Sequence, residues 1–194
     1  LYARRQRQMC IRDRSLEVLH VSDNILKKLP VELGALALLH TLKLCKNFIF
    51  KHLPEQLGLL RSVTDLDISQ NMIESLPDTI GGLGELVKLN LAHNRLSTVP
   101  ETIIQCTRLH ELYLSSNHIK RLPMHLGKCT PLRILDLQSN LIVEIPANLA
   151  CLINLRSLHL GKNLLRALPL DIVYLCETVE KPVSYTHLRA HETR

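Results

Sequence analysis

Three residues of this chain have the types used in nucleophilic catalysis: Asp136, Ser157 and His159. Asp136 and His159 are 23 residues apart, and Ser157 lies two before the histidine. If the backbone repeats every 23 residues, all three share one face, as a Ser/His/Asp set must. Acyl transfer also needs donors aimed at the developing oxyanion and a site shielded from water. No nucleophile elbow and no glycine-rich oxyanion segment accompanies these residues, so no catalytic role is expected for them. Gly81-Gly82-Leu83-Gly84 lacks the lysine and Ser/Thr of a phosphate loop and reads as a turn between repeats. Of the ten histidines, only His187 and His191 have the H-x-x-x-H spacing of a ligand pair. The expectation is no enzyme activity, no cofactor and no metal.

What would place such residues is a repeat marked by asparagine. Asn24, Asn47, Asn71, Asn94, Asn117, Asn140 and Asn163 follow one another at 23, 24, 23, 23, 23 and 23 residues. Each has leucine or valine at −8, leucine at −5, an aliphatic at −3 and an aliphatic at +2; Leu109-His110-Glu111-Leu112-Tyr113-Leu114-Ser115-Ser116-Asn117-His118-Ile119 is the clearest copy. Counting the −8 residue as position 1, the aliphatics at 4 and 6 alternate with polar residues, the period of a strand with one buried face. An asparagine buried where the strand ends can satisfy backbone donors and acceptors at once. Units of this length bury their apolar faces only against neighbours, which makes a solenoid.

A second phrase follows each asparagine: Leu76-Pro77-Asp78-Thr79-Ile80, Val99-Pro100-Glu101-Thr102-Ile103, Leu168-Pro169-Leu170-Asp171-Ile172. Proline ends strand pairing and suits the first position of a short helical or 3₁₀ turn. Apolar residues three apart (Ile80 and Leu83, Leu149 and Leu152, Ile172 and Leu175) turn one stripe inward. Narrow strands inside and wider turns outside predict a curved arc, with a concave face roughly 30 Å across at about 4.8 Å per strand.

The L-x-x-L-x-L-x-x-N-x-L frame, with Val63 and Val21 as mild departures, resembles the leucine-rich repeat and runs from residue 16 to about 176. The fold expected is an α/β repeat solenoid, a curved leucine-rich-repeat arc with a parallel β-sheet on the concave face and 3₁₀ or helical turns on the convex face. Units of 23 residues with Leu-Pro-x-x-Ile/Leu resemble the intracellular Ras-group class: Ras-binding scaffolds, Ras-suppressor proteins, Scribble-type polarity proteins and their plant relatives. That resemblance implies a protein-protein interaction scaffold in signal transduction, with a Ras-type small GTPase or a phosphatase complex as partner. The rival reading is the sensing segment of a larger enzyme, a kinase, phosphatase, cyclase or ubiquitin ligase, with its catalytic domain elsewhere.

The two ends fall outside the repeat. Arg4-Arg5-Gln6-Arg7-Gln8-Met9-Cys10-Ile11-Arg12-Asp13 translates the read-one adaptor and mosaic end of transposase-based sequencing libraries. Val183-Ser184-Tyr185-Thr186-His187-Leu188-Arg189-Ala190-His191-Glu192-Thr193 translates the opposite-strand mosaic end running into the read-two adaptor. The expected organisation is therefore a non-native segment at 1–14, seven uncapped repeats at 15–181 and a non-native segment at 182–194, with neither end adding a strand. The whole chain carries +6 from 24 basic and 18 acidic residues. The end segments hold seven of the basic and two of the acidic residues, leaving 17 against 16, so the core of the chain is near neutral. A nucleic-acid or membrane-binding arginine arm is not expected on that reading. No run of 18 apolar residues predicts a membrane span.

Without Cys10, five cysteines remain (Cys45, Cys106, Cys129, Cys151, Cys176), and Cys106 and Cys129 share a repeat position where other units carry leucine. They read as small buried hydrophobes, or alternatively as a disulfide between adjacent repeats. No Asn-x-Ser/Thr sequon occurs. Together these usages point to the cytoplasm, the inner face of the plasma membrane included.

Candidate partner-binding residues come from the outward positions of the strands. Tyr113 is central, with His110, Glu111, Arg133, Asp136, Arg156, His159, Lys88 and Asp67 around it. Tyrosine and arginine dominate binding energy once desolvated; the alternative for the same residues is an ordinary solvated sheet face. The second unit carries one extra residue, between Asn47 and Pro54, and the only two phenylalanines. A bulge is expected there, with Phe50 either a contact point or folded over the core.

Overall fold

The computed structural model describes residues 15–172. Seven three-residue strands form one parallel sheet, in the order β1 (Val18–His20), β2 (Thr41–Lys43), β4 (Asp65–Asp67), β6 (Lys88–Asn90), β7 (Glu111–Tyr113), β8 (Ile134–Asp136) and β9 (Ser157–His159). The register steps by one repeat each time, pairing Leu19 with Leu42, Leu89 with Leu112 and Leu135 with Leu158. Among the described residues β1 and β9 each pair on one side only, so the described sheet is not closed into a barrel. Position 4 of the five inner strands is fully buried, whereas positions 3 and 5 stay partly exposed. Burial of each such leucine contributes about 1.5–3 kcal/mol, so the stack rests chiefly on this stripe and its counterparts at positions 1, 6 and 11.

On the opposite side lie six 3₁₀ turns: η1 (Val31–Ala35), η2 (Glu55–Leu59), η3 (Asp78–Gly82), η4 (Glu101–Gln105), η5 (Leu126–Lys128) and η6 (Ala147–Cys151). Proline stands one residue earlier than expected. Pro30, Pro54, Pro77, Pro100 and Pro146 occupy the N-cap in an extended conformation. The reason is the short i→i+3 bond: the proline carbonyl accepts the first turn's N–H, from Leu33, Leu57, Ile80, Ile103 and Leu149. Four residues beyond the proline, Gly34, Gly58, Gly81 and Gly127 sit where a Cβ would run into the next turn's backbone, at Gln56, Thr79, Thr102 and Asn148. Gly81 and Gly82 thus belong to a turn, and Gly81 is needed for close stacking. In the fourth unit this place is held by Ile104, and the following turn η5 starts later and is shorter.

The asparagines bind adjacent repeats together. The Asn117 amide donates to Leu114 O at 3.0 Å and Ser115 O at 3.3 Å in its own unit, and to Leu91 O of the preceding unit at 3.0 Å. Its Oδ1 accepts the Leu96 N–H at 2.9 Å. Asn47, Asn71, Asn94, Asn140 and Asn163 repeat this four-bond set. Asn24 is exposed and donates only to Val21 O and Ser22 O within its own unit. The residue before each of the seven repeat asparagines has a left-handed backbone: Asp23, Lys46, Gln70, His93, Ser116, Ser139 and Lys162, with φ from 53° to 57°. None is glycine, so each carries a local strain of about 1–2 kcal/mol that the amide's bonds offset.

The extra residue of the second unit produces a second, two-stranded parallel sheet, β3 (Phe50–His52) with β5 (Met72–Ser75). The register shifts between Lys51 and His52, and Lys51 takes a φ of 64°. The expected bulge is at this place; the Phe50 side chain lies outside the described part. The end segments 1–14 and 182–194, the last part of the expected repeat domain (173–181), Cys10, Cys176 and Leu175 lie outside the described residues as well.

Candidate functional site

The outward side chains of the large sheet form rows one repeat apart. In the centre, Lys88 on β6 reaches Glu111 on β7, with Nζ 3.2 Å from Oε2. The Tyr113 hydroxyl donates to the same Glu111 oxygen at 3.1 Å, and Lys88 Nζ stands 5.3 Å from the Tyr113 ring centroid. One carboxylate therefore holds a cation and a phenol together, and the cation lies over the face of the ring. Desolvation, together with the bond to Glu111, pushes the Tyr113 phenol above its ordinary value. Desolvation works against the Lys88 ammonium, but Glu111 outweighs it and raises that group too. At neutral pH the tyrosine is a neutral donor and the lysine a cation.

Asp136 is the register partner of Tyr113 on one side and of His159 on the other. Its Oδ1 accepts the Gln138 N–H at 3.1 Å, closing an Asx turn. Asp67 does the same with Ser69, accepting its N–H at 3.0 Å and its hydroxyl at 2.7 Å. Asp67 lies on β4, two strands from Tyr113, and among the described residues forms no hydrogen bond or ion pair with the central cluster. His110, Arg133 and Arg156 enter as a row along the strand starts, where the Arg133 N–H donates to His110 O and the Arg156 N–H to Arg133 O, both at 2.7 Å. Arg133 and Arg156 are exposed, and among the described residues neither forms an ion pair.

The Ser/His/Asp set is only partly assembled. Ser157 Oγ is 2.7 Å from His159 Nε2. No hydrogen bond joins Asp136 to His159 among the described residues, because Asp136 is turned to its own Asx turn. His159 is exposed and Ser157 half-buried on an open face, so water has free access to both.

The ion pair between Lys43 on β2 and Asp65 on β4 was not in the candidate set, although it extends the same face towards the first unit. It joins position 5 of one unit to position 3 of the next. Both residues could be placed on the face by spacing, but the diagonal pairing has no signal in a one-dimensional pattern. Cys106 and Cys129 are buried free thiols, with sulfurs directed at Ile80 O and Ile103 O of the preceding unit. Burial pushes Cys106 up to about 12 and Cys129 to about 11. No group of three or more His, Cys, Asp or Glu among the described residues could hold a metal ion, and no described helix is long and apolar enough to cross a membrane.

The class this geometry defines is a stacked-repeat protein that presents an open, polar sheet face. Residues 37–96 and 107–165 match the family model described as leucine rich repeat, and residues 84–125 match a second model of two such repeats. With more than half its length matched, the chain belongs to the leucine-rich repeat family.

A comparison with curated proteins returns no match. Solved structures resemble it closely in fold. A leucine-rich repeat protein of Leptospira interrogans is 26% identical, with a TM-score of 0.65 over 91% of this chain and 56% of that one. The ectodomain of the Arabidopsis thaliana receptor kinase GASSHO1/SCHENGEN3, solved in complex with Casparian strip integrity factor 2, is 31% identical over 79% of this chain, with a TM-score of 0.69. This chain spans only 19% of that receptor chain. An internalin of Listeria monocytogenes is 21% identical with a TM-score of 0.78 over 92% of this chain and 50% of that one, a likeness of fold alone.

Proposed function

We propose that this chain is a protein-interaction scaffold that docks a partner protein on its concave face, centred on Tyr113, in cytoplasmic signalling. The observation that carries the reading is the Lys88–Glu111–Tyr113 cluster, with the exposed Arg133 and Arg156, which form no ion pair among the described residues, on the following strands. A neutral phenol held by a carboxylate, with exposed guanidinium groups nearby, supplies the residue types that dominate binding once desolvated. The partner proposed is a Ras-type small GTPase or a phosphatase complex, supported by the 23-residue Leu-Pro-x-x-Ile units. The test uses purified Ras-type GTPases loaded with GDP or a non-hydrolysable GTP analogue. Binding that depends on the nucleotide, and falls at least about tenfold in Tyr113→Ala with Arg133→Glu, supports the reading. Binding to neither form removes the GTPase assignment.

One observation favours a second reading, a ligand-sensing segment of a larger enzyme: the 31% identity to a receptor-kinase ectodomain of which this chain spans a fifth. Sequencing the transcript beyond Lys181 separates the two. A kinase, phosphatase, cyclase or ubiquitin-ligase motif in the continuing frame selects the second.

A further inference from the structure

The position after each of the seven repeat asparagines lies between the sheet strand and the 3₁₀ turn of its unit and is exposed or half-buried. It is polar and exposed at Arg95 and His118, as a solvated position should be. In the first three units it is Ile25, Phe48 and Met72 instead. Ile25 is 80% exposed, Phe48 48% exposed and Met72 half-buried. Backbone bonds bring these units side by side: the Phe48 N–H donates to Leu26 O at 2.9 Å and the Met72 N–H to Ile49 O at 2.8 Å. The three side chains thus form a row, and a contiguous apolar row on a surface marks an interaction site more often than scattered residues do. Leu141 and Leu164 resume the apolar pattern in the last two units.

Basic charge lies beside the row in the first two units; Lys120 and Arg121 hold the same places in the fifth unit, but beside the polar His118, and Arg166 follows Leu164 in the seventh. Lys27, Lys28, Lys51 and His52 are all exposed, two to four residues along the chain from an apolar member. Among the described residues none of these lysines forms an ion pair, whereas Lys46 is held by Asp23 at 3.1 Å. Glu74 is the acid at the corresponding place in the third unit. An occupant must therefore bring apolar groups for the row and carboxylates opposite the first two units, where the lysines lie, but not opposite Glu74.

The spacing selects the backbone. Repeats stack about 4.8 Å apart, close to the pitch of an α-helix at about 5.4 Å. A helix lying along the solenoid axis can set one apolar residue on each unit with i, i+4, i+7 spacing, and carboxylates on the neighbouring stripe.

We infer that the flank formed by Ile25, Phe48 and Met72, rimmed by Lys27, Lys28 and Lys51, docks an acidic amphipathic helix of a partner protein. This site is separate from the concave face and does not depend on what binds there.

The probe is a fluorescein-labelled, helix-stapled synthetic peptide with leucines at i, i+4 and i+7 and glutamates on one adjoining stripe, titrated by fluorescence anisotropy against the 194-residue chain. A serine-for-leucine peptide is the control. Expected are saturable binding that weakens with added salt, loss of at least about tenfold in Phe48→Ser and in Lys27→Glu with Lys51→Glu, and no change in Tyr113→Ala. Circular dichroism of each variant checks that these exposed changes leave the fold intact. No binding of the probe, equal binding of the serine control, or indifference to Phe48→Ser overturns the inference. So does a result in which only anionic phosphatidylserine vesicles bind and the same variants abolish it, which would make the flank a membrane surface.

Discussion

Replacing Asn94 by alanine tests the ladder where it is complete. The Asn94 amide donates to Ile68 O and Leu91 O at 3.0 Å and to Ala92 O at 3.4 Å, and its Oδ1 accepts the Ile73 N–H at 3.0 Å. The acceptors all keep another donor: Ile68 O has Asn71, Leu91 O has Asn117, and Ala92 O has the Gln70 N–H. The group left stranded is the Ile73 N–H, in a strand whose side chain is fully buried. An orphaned buried donor costs about 1–3 kcal/mol, and weakening three shared acceptors adds about 1 kcal/mol in all. The expected loss is about 3 kcal/mol, or roughly 10 °C in Tm for a chain of this length. Asn24→Ala is the internal control: that side chain is exposed and bonds only within its own unit, so its loss is below about 1 kcal/mol. Urea and thermal unfolding followed by far-ultraviolet circular dichroism measure both. Equal losses in the two variants, or an Asn94→Ala loss under about 1 kcal/mol, would refute the argument that inter-repeat amide bonds hold the stack.

Gly58→Ala drives a methyl into the Thr79 carbonyl and is expected to cost about 1–3 kcal/mol by urea unfolding, whereas Gly84→Ala, whose added Cβ meets nothing within 4 Å, costs far less. With iodoacetamide near neutral pH under native conditions, mass spectrometry should find Cys151 alkylated long before Cys106 and Cys129, which are buried and pushed to about 12 and about 11; urea should abolish the difference. Desolvation raises the Glu101 carboxyl, but the N–H groups of Met124 and His125 and the His125 ring outweigh it and hold the group below its usual range. A depressed acid stabilises the fold above its unfolded value and loses that contribution as pH falls through the folded one. Glu101→Gln should therefore lose less stability than the parent between about pH 5 and 3; the group is half exposed, so the difference is a few tenths of a kcal/mol at most.

The repeat was legible because each residue type in the frame has one physical task performed again in unit after unit, the exposed Asn24 of the first unit excepted. Leu112 at the inward place of a strand and Asn117 at its end could be read from period and donor count alone. Pro77 was placed one residue late, because the general preference for the first helical position overlooks that a 3₁₀ turn begins with a bond to the proline carbonyl. The left-handed residues were not legible at all: Lys46, Gln70 and His93 carry none of the glycine signal that usually marks positive φ. Of the candidate face, spacing brought Lys88, Glu111 and Tyr113 to adjacent strands, and the structure joins them through one carboxylate. Asp67 and Asp136 looked like binding groups by type, yet both use an oxygen on their own turns. The pairing of Lys43 with Asp65 depends on side-chain reach across a diagonal, which no residue pattern encodes.

The most direct test of concave-face docking is site-directed photocrosslinking in an extract of the source cells. A benzoylphenylalanine replaces Tyr113, Arg133 or Arg156 on the sheet, and Gln105 or Lys128 on the turns. The account predicts one protein adduct shared by the three sheet positions and absent from the two turn positions. Adducts at the turn positions alone, with none from the sheet, would contradict it.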